Sequence, residues 1–225
     1  MKLGSVLFFG RKDCKYSLKL KNYIRKESQT FRYIESSYPG EKLKDKIEKK
    51  KFDYIFCFRS FYILKKKHIN KTKIAAINFH PGTPEYRGIG CINFAIYNNE
   101  NFYGTTAHLI NEKIDNGKIL DVKKFQIKKK DNLNICLDKT YRIMIKQAFI
   151  ILKLLKKNNN NLEKLIIKNK KLKWSKKLYK KKDLEKLYLL DNLANQDEIE
   201  RVIRATKTKK FRPYKIINKK KYFLI

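Results

Sequence analysis

INFHPG (residues 77–82), followed after one residue by PEYRG (residues 84–88), is the stretch that decides the fold of this chain. An apolar run over residues 74–77 leads into it, and a Pro-Gly pair ends the run at once. On a β-strand, residues two apart face the same side, so we expect the amide of Asn78 and the imidazole of His80 to point together. Open α/β sheets bind ligands at the carboxyl ends of their strands, which predicts a site here.

The two side chains suit the transfer of an acyl-like carbon through a tetrahedral intermediate. An imidazole moves protons near neutral pH, and an amide can donate a hydrogen bond to a developing oxyanion. A carboxylate to orient His80 is offered by Asp115, which follows an expected strand at residues 105–110 and directly precedes an Asn-Gly turn. Taken alone, Asn78 and His80 are a weak signal, and the alternatives are a structural histidine and an aspartate that caps its own turn.

The block INFHPGTPEYRGIGCINFAIYNNENFYGTTAHLINEKIDNGKIL resembles the signature of the 10-formyltetrahydrofolate-dependent formyltransferases. Its HPG-x-PEYRG-x-G form is most similar to the sugar N-formyltransferases, which formylate the amine of nucleotide-linked amino-deoxy sugars. The resemblance implies that Asn78, His80 and Asp115 are the catalytic residues and that 10-formyltetrahydrofolate is the cofactor. It covers residues 74–121, and a weaker similarity appears at residues 197–214.

Further ligand contacts are predicted in the loop after His80 and at the end of the first strand. Gly88 allows a close backbone approach to a ligand, Tyr86 can stack on a pterin or base, and Arg87 can pair with an anionic group. We therefore predict these three as cofactor-binding residues, the alternative being that Tyr86 packs the loop and Arg87 is a solvated cation. The predicted substrate contacts are Asn93, Arg11 and Lys12.

Two further aromatic residues are interpreted as structural. His108 lies within an expected strand, where the formyltransferase family commonly carries a histidine, and we favour a structural role for it over catalysis. Trp174 lies in a lysine-rich segment and is most simply a packing anchor for the C-terminal part of the chain.

The alternation of strands and helices predicts an α/β fold with a Rossmann-like, mostly parallel sheet and right-handed crossovers. The expected strands include residues 6–9, 31–34, 52–58 and 74–79, and the expected helices include residues 14–26, 41–50, 91–97 and 134–157. A polar run at residues 158–161 is expected to form a loop between a catalytic core (1–157) and a small C-terminal α+β appendage (162–225). In the appendage we expect a strand at 165–167 and a hairpin within 215–225.

The chain is strongly basic, with 56 Lys and Arg against 21 Asp and Glu and a formal net charge of +35. Such a charge suggests a nucleic acid or another anionic partner. Only 9 of the basic residues are Arg, which is the residue best suited to bidentate phosphate contacts, and 56 − 9 = 47 are Lys spread along the chain. Codon bias in an AT-rich genome produces this pattern, so nucleic acid is not the favoured partner, although a nucleotide diphosphate or a folate is also anionic.

The cysteine spacing and the hydropathy exclude several classes of protein. Four widely spaced Cys without a Cys-x-x-Cys pair argue against a metal site or a disulfide framework and fit a reducing cytoplasm. No apolar stretch is long enough for a signal peptide or a membrane span, so we expect a cytoplasmic protein without a membrane partner. A G-x-G-x-x-G motif is absent after the first strand, which argues against a nicotinamide or flavin cofactor.

Three functions remain open at this point. The first is N-formylation of a nucleotide-linked amino sugar. The second is formylation of glycinamide ribonucleotide, whose enzymes normally carry a Ser-Leu-Leu-Pro type sequence where this chain has Gly-Thr-Pro-Glu-Tyr-Arg-Gly. The third is formylation of initiator methionyl-tRNA, or plain RNA binding, which the charge favours. The C-terminal segment resembles the dimer contacts of the sugar family, which leaves a homodimer open.

Overall fold

A computed structural model describes residues 2–43, 47, 50–157 and 161–224. The strands are β1 (Leu3–Arg11), β2 (Ser28–Ser36), β3 (Phe52–Phe58), β4 (Thr72–His80), β5 (Arg87–Gly88), β6 (Phe102–Leu109), β7 (Ile119–Gln126), β8 (Leu178–Tyr179), β9 (Tyr214–Ile217) and β10 (Lys220–Phe223). The helices are α1 (Lys15–Glu27), α2 (Lys66–Ile69), α3 (Cys91–Tyr97), α4 (Leu133–Lys157), α5 (Asn161–Lys168), α6 (Lys181–Tyr188) and α7 (Gln196–Thr206).

The central sheet has six strands in the order β2-β1-β3-β4-β6-β7, and β2, β1, β3 and β4 run parallel. Strands β6 and β7 are antiparallel to their neighbours. The expected α/β fold with a mostly parallel sheet is therefore confirmed. The central strand β1 is buried along most of its length because helices and loops cover both faces of the sheet, as its apolar run suggests.

Alternate residues of the central strands pack on opposite faces of the sheet. Phe8 of β1 lies in one apolar cluster together with α1 and α4, whereas Leu7 and Phe9 lie in a second cluster on the other face. This is the two-residue period of a β-strand, and it places Phe56 and Ile55 of β3 in the same two clusters.

The 25-residue helix α4 matches the long helix expected at residues 134–157 almost residue for residue. Its buried side chains recur at helical spacing, as the apolar period of the sequence predicts. Leu133 and Cys136, in its first turns, pack in a third cluster with α3 and the C-terminal segment. Met144, Ile151 and Leu155 pack under the central sheet.

The C-terminal segment packs directly against the loop and helix that follow β4. Tyr179 stacks on Phe94 with ring centroids 3.9 Å apart, and Leu187 and Ala205 belong to the same cluster. The expected hairpin is present as β9 and β10. The boundary between a core and an appendage at residues 157–162 stays a prediction. Within the described part of the chain, no helix has the length and apolar character needed to cross a bilayer.

One local expectation differs from the structure, and two others fall partly outside the described residues. The strand expected at residues 165–167 is wrong, because these residues lie in α5, whose Leu162, Leu165 and Ile166 face the central cluster at helical spacing. The helix expected at residues 41–50 falls largely on positions outside the described residues. The same holds for residues 158–160 of the expected loop, while Asn161 already begins α5.

Candidate active site

Strand β4 delivers Asn78 and His80 to the carboxyl edge of the parallel part of the sheet. The strand pairs in parallel with β3, where Cys57 lies opposite Asn78, and in antiparallel with β6, where His108 lies opposite Asn78. Because Asn78 and His80 are two residues apart, both side chains reach toward the same turn, the one that carries Asp115.

The carboxylate of Asp115 is contacted by the other polar side chains of the site. Its Oδ2 lies 3.4 Å from Nδ1 of His80 and accepts a hydrogen bond of 3.0 Å from the backbone N–H of Gly88. Its Oδ1 lies 3.5 Å from Nε2 of His108 and accepts a hydrogen bond of 3.4 Å from Nδ2 of Asn78. The structure therefore brings together the three side chains that the sequence predicts to converge.

The surroundings of Asp115 keep its carboxyl ionised. Burial by itself raises the pKa of this carboxyl, but the charge of His80, the hydrogen bond and charge of His108 and the N–H of Gly88 together outweigh burial. The net result is a pKa held well below the usual range of an aspartate. The site thus has a fixed negative charge that can stabilise an imidazolium.

The imidazole of His80 has a definite orientation. Its Nε2 lies 2.9 Å from the carbonyl oxygen of Tyr86, and since a carbonyl only accepts, Nε2 carries a hydrogen and donates it. The other nitrogen, Nδ1, faces Asp115, so Nδ1 is the atom that can gain or lose a proton. Gly82 allows this arrangement, because a Cβ at that position would overlap Nε2 of His80.

His108 belongs to the site, which the sequence analysis does not predict. Its Nδ1 lies 2.8 Å from the carbonyl oxygen of Leu109 and donates to it. In the neutral ring, Nε2 then accepts from the amide of Asn78 at 3.1 Å, whereas in the protonated ring Nε2 donates toward Oδ1 of Asp115 at 3.5 Å. The cross-strand pairing of β4 and β6 is the feature that would have found His108, because it sets His108 opposite Asn78.

Trp174 covers both imidazoles. Its ring centroid lies 5.9 Å from that of His80 and 5.0 Å from that of His108, in T-shaped arrangements. The side chain of His80 is only 4% exposed. Nothing in the lysine-rich sequence around Trp174 signals this position, because the contact depends on how the C-terminal segment packs.

The ring of Tyr86 packs inside the protein, and its role in cofactor binding stays a prediction. The side chain is 5% exposed and stacks on Tyr179, and its hydroxyl donates to Glu100 and accepts from Asn98. The C-terminal segment supplies the stacking partner, so the alternative of a loop-packing tyrosine describes this residue. Its backbone carbonyl, rather than its ring, contacts the candidate catalytic histidine.

Arg87, predicted to bind phosphate or carboxylate, makes its described hydrogen bonds to backbone carbonyls of the protein. Its guanidinium is buried and donates to the carbonyl oxygens of Ile114 at 2.7 Å, Asp115 at 2.6 Å and Ser175 at 2.9 Å. These hydrogen bonds hold the side chain against the turn of Asp115. Arg87 therefore supports the site from within the protein.

Gly88 and Asn93 have structural contacts as well. Gly88 has a φ of +92°, a conformation that L-residues rarely adopt, and its N–H holds Asp115. Asn93 is buried in α3, and its amide donates to the carbonyl of Ala205 at 2.8 Å. This hydrogen bond links α3 and α7, and the substrate contact of Asn93 stays a prediction.

Arg11 and Lys12 lie at the carboxyl end of β1, beside an open groove of about 420 Å³ lined in part by Cys14, Arg59 and Tyr141. The guanidinium of Arg11 lies 4.3 Å above the ring of Phe61, and burial together with the charge of Arg59 lowers its pKa. Lys12 is exposed. Neither residue contacts the turn of Asp115 in the described hydrogen bonds, and their substrate-binding role stays a prediction.

Comparisons with known proteins agree with this geometry. The family model described as "Formyl transferase" matches residues 6–147. Among curated relatives, the bifunctional polymyxin resistance protein ArnA of Wigglesworthia glossinidia brevipalpis is 35% identical over 88 residues, which is 39% of this chain and 14% of that protein. The methionyl-tRNA formyltransferase of Wolbachia pipientis subsp. Culex pipiens is 35% identical over 103 residues, 43% of this chain and 34% of that protein. The chain thus spans a third or less of the length of these two relatives.

Solved structures resemble the chain over nearly its whole length. A sugar N-formyltransferase from Shewanella sp FDAARGOS_354 superposes with a TM-score of 0.70 and 22% identity, covering 99% of this chain and 96% of that one. The N-formyltransferase of Helicobacter canadensis in complex with folinic acid and dTDP-3-aminofucose gives a TM-score of 0.67 and 21% identity, covering 97% and 86%. At this identity the similarity establishes the fold, including the C-terminal segment.

Proposed function

Because this chain belongs to the formyl transferase family, we propose that it is a folate-dependent N-formyltransferase whose acceptor is the amine of a nucleotide-linked amino-deoxy sugar. The observation that carries the proposal is the convergence of Asn78, His80 and Asp115 at one edge of the sheet. The acceptor class is supported by the sugar N-formyltransferase structures, which this chain matches from end to end. The proposed formyl donor is 10-formyltetrahydrofolate.

In the proposed reaction, the neutral amine attacks the formyl carbon and His80 accepts the amine proton on Nδ1. Nε2 stays bound to the carbonyl of Tyr86, so the ring does not need to rotate during the transfer. Asp115 faces Nδ1 and stabilises the imidazolium that forms. The proton then passes to the folate nitrogen as the tetrahedral intermediate collapses and the carbon–nitrogen bond to folate breaks.

Asn78 would stabilise the oxyanion of the intermediate. Its amide hydrogens are held by Nε2 of His108 at 3.1 Å and by Asp115 at 3.4 Å. The longer of the two hydrogen bonds is the weaker, so it is the one that a substrate oxygen would replace. His80 is 4% exposed, and Trp174 packs against its ring.

The acceptor is tested by incubating the purified protein with formyl-folate and, in separate reactions, a panel of nucleotide-linked amino sugars, methionyl-tRNA and glycinamide ribonucleotide. We expect mass spectrometry to detect the gain of one formyl group on at least one member of the panel. Formylation of methionyl-tRNA or glycinamide ribonucleotide, with none of the sugars modified, would reject the sugar as acceptor while keeping the formyl transfer.

The role of His80 is tested by His80→Asn. We expect turnover to fall by roughly two to four orders of magnitude, because the substitution removes the proton acceptor, while folate binding measured by calorimetry is kept. The matched control is His68→Asn, which changes a buried histidine of α2, outside strand β4 and outside the turn of Asp115. Activity of His80→Asn within about tenfold of the parent would refute the general-base role.

Methionyl-tRNA formyltransferase is the second candidate function. It is favoured by the sequence relatives of that description and by the basic charge of the chain. The sugar acceptor is favoured by the structural similarity to the Shewanella sugar N-formyltransferase, which extends over 99% of this chain. The substrate panel described above decides between the two.

A further inference from the structure

One side chain of the C-terminal segment contacts both histidines of the candidate site and the turn that carries Asp115. We call residues 172–179 the strap; it runs from the end of α5 to β8 and passes over the turn of Asp115. Trp174, within the strap, packs against His80 and His108. Its indole N–H also donates to the carbonyl oxygen of Gly117 at 2.7 Å, two residues beyond Asp115.

Arg87 also connects the strap to the same turn. Its guanidinium bridges the carbonyl of Ser175, in the strap, and the carbonyls of Ile114 and Asp115, in the turn. The backbone N–H of Ser175 in turn donates to the carbonyl of Pro84 at 2.9 Å. The strap and the catalytic turn are therefore joined by direct and bridged hydrogen bonds.

The turn depends on these outside contacts for its conformation. Asp115 has a φ of +43°, in the left-handed region, which few non-glycine residues adopt although aspartate tolerates it better than most. The carbonyls of Ile114, Asp115 and Gly117 are all bound by side chains from outside the turn. Loss of these donors would free the turn, and the carboxylate would move away from the imidazoles.

We propose that Trp174 is a positioning residue of the active site, which closes over His80 and His108 and, together with Arg87, holds the carboxylate of Asp115 in its productive place. This inference rests on the proposed formyl transfer. It assigns a part of the site to a segment outside the region matched by the family model, which ends at residue 147.

The kinetic test uses two substitutions of graded severity. Trp174→Phe keeps an aromatic ring but loses the donor to Gly117, and we expect kcat to fall on the order of tenfold. Trp174→Ala loses both, and we expect about a hundredfold fall in kcat with a smaller change in KM, because a displaced carboxylate affects the reacting geometry more than ground-state binding. The larger loss in the alanine variant and its partial rescue by phenylalanine distinguish positioning from simple packing.

The matched control is Tyr188→Phe. Like Trp174, Tyr188 lies in the C-terminal segment, packs against another aromatic ring and donates one hydrogen bond to a backbone carbonyl, that of Thr206. This variant loses the same kind of bond without touching the site, so we expect kcat to remain within about twofold of the parent. If Trp174→Ala does not fold, as judged by circular dichroism, Trp174→Phe decides the outcome.

A second readout needs no turnover. Trp174 is the single tryptophan of the chain, so the intrinsic tryptophan fluorescence reports on the strap alone. We expect Asp115→Asn and Arg87→Lys to increase the acrylamide quenching of this fluorescence, because each weakens the contacts that hold the strap against the turn, and Tyr188→Phe to leave it unchanged.

Unchanged quenching in both Asp115→Asn and Arg87→Lys, or a kcat within about twofold of the parent in both Trp174 variants, would overturn the positioning role. If no acceptor is formylated at all, the proposed function fails, but the fluorescence result still decides whether Trp174 and Asp115 are coupled. The two failures are therefore distinguishable.

Discussion

The carboxylate of Asp115 lies between two imidazoles, and this arrangement gives the site its charge balance. Each carboxylate oxygen faces one ring, with His80 on one side and His108 on the other. A buried carboxylate without partners would be protonated, whereas here the two histidines and the N–H of Gly88 keep it ionised. The contacts proposed to serve proton transfer also make Asp115 a contributor to stability.

We predict that Asp115→Asn lowers the free energy of unfolding at neutral pH and that this loss becomes smaller as the pH is lowered. The pKa of this carboxyl is lower in the folded protein than in the unfolded chain, where it is about 3.9. Its contribution is therefore present above the unfolded pKa and is lost as the pH falls toward the folded pKa, with the decline beginning below about pH 5. Urea unfolding at several pH values measures the difference. A constant difference from neutral to acid pH would contradict the prediction, and the exposed Asp197→Asn serves as a control.

At this scale the sequence predicts those residues whose placement is local. Asn78 and His80 are predictable because strand periodicity sets both on one face, and Asp115 because an Asn-Gly pair marks its turn. The contacts of Tyr86 and Arg87 are not predictable in this way, because their partners, Tyr179 and Ser175, lie about ninety residues further along the chain. No local pattern reports a contact of that separation.

Helix α4 packs against both the central sheet and helix α3, which follows the loop of the site. Its central part packs under the sheet, and Gln147 accepts from Thr105 of β6 and donates to Asp121 of β7. The helix was predictable because its apolar period continues over 25 residues. The short helix α5 was not, since a run such as Leu165 to Ile167 suits a strand as well as a helix.

We predict that Leu152→Ala lowers the free energy of unfolding by about 2–5 kcal/mol. Leu152 is fully buried in the central cluster, and its truncation leaves a cavity that the packed sheet cannot fill. Chemical denaturation provides the measurement. The control is Ile150→Ala on the same helix, where the side chain is 48% exposed and the expected loss is less than about 1 kcal/mol. Equal losses in the two variants would contradict the packing of α4.

For the whole molecule, the dominant property is the formal net charge of +35. Exposed lysines occur along the strap, the C-terminal hairpin and many other parts of the chain, so the positive charge is not confined to one segment. A field of this kind attracts anions of many types without selecting among them. It is compatible with an anionic nucleotide-linked substrate, and it does not by itself indicate a dedicated RNA site.

We predict that the protein binds unrelated RNAs with similar affinity at low salt and that this binding falls by roughly a thousandfold or more between about 50 mM and 200 mM salt. Fluorescence anisotropy with labelled tRNA and an unstructured RNA of equal length measures the affinities. Selective binding to the tRNA that persists at the higher salt would contradict the prediction and support methionyl-tRNA as the acceptor.

The parallel and antiparallel halves of the sheet meet at β4, and this junction has a consequence for evolution of the site. Because β6 runs opposite to β4, the chain leaves β6 at Leu109 and must return by a turn to bring Asp115 back beside His80. The length of that return is therefore fixed by the residues it must reach. Insertions and deletions in descendants of this gene should accumulate elsewhere and spare residues 110–118.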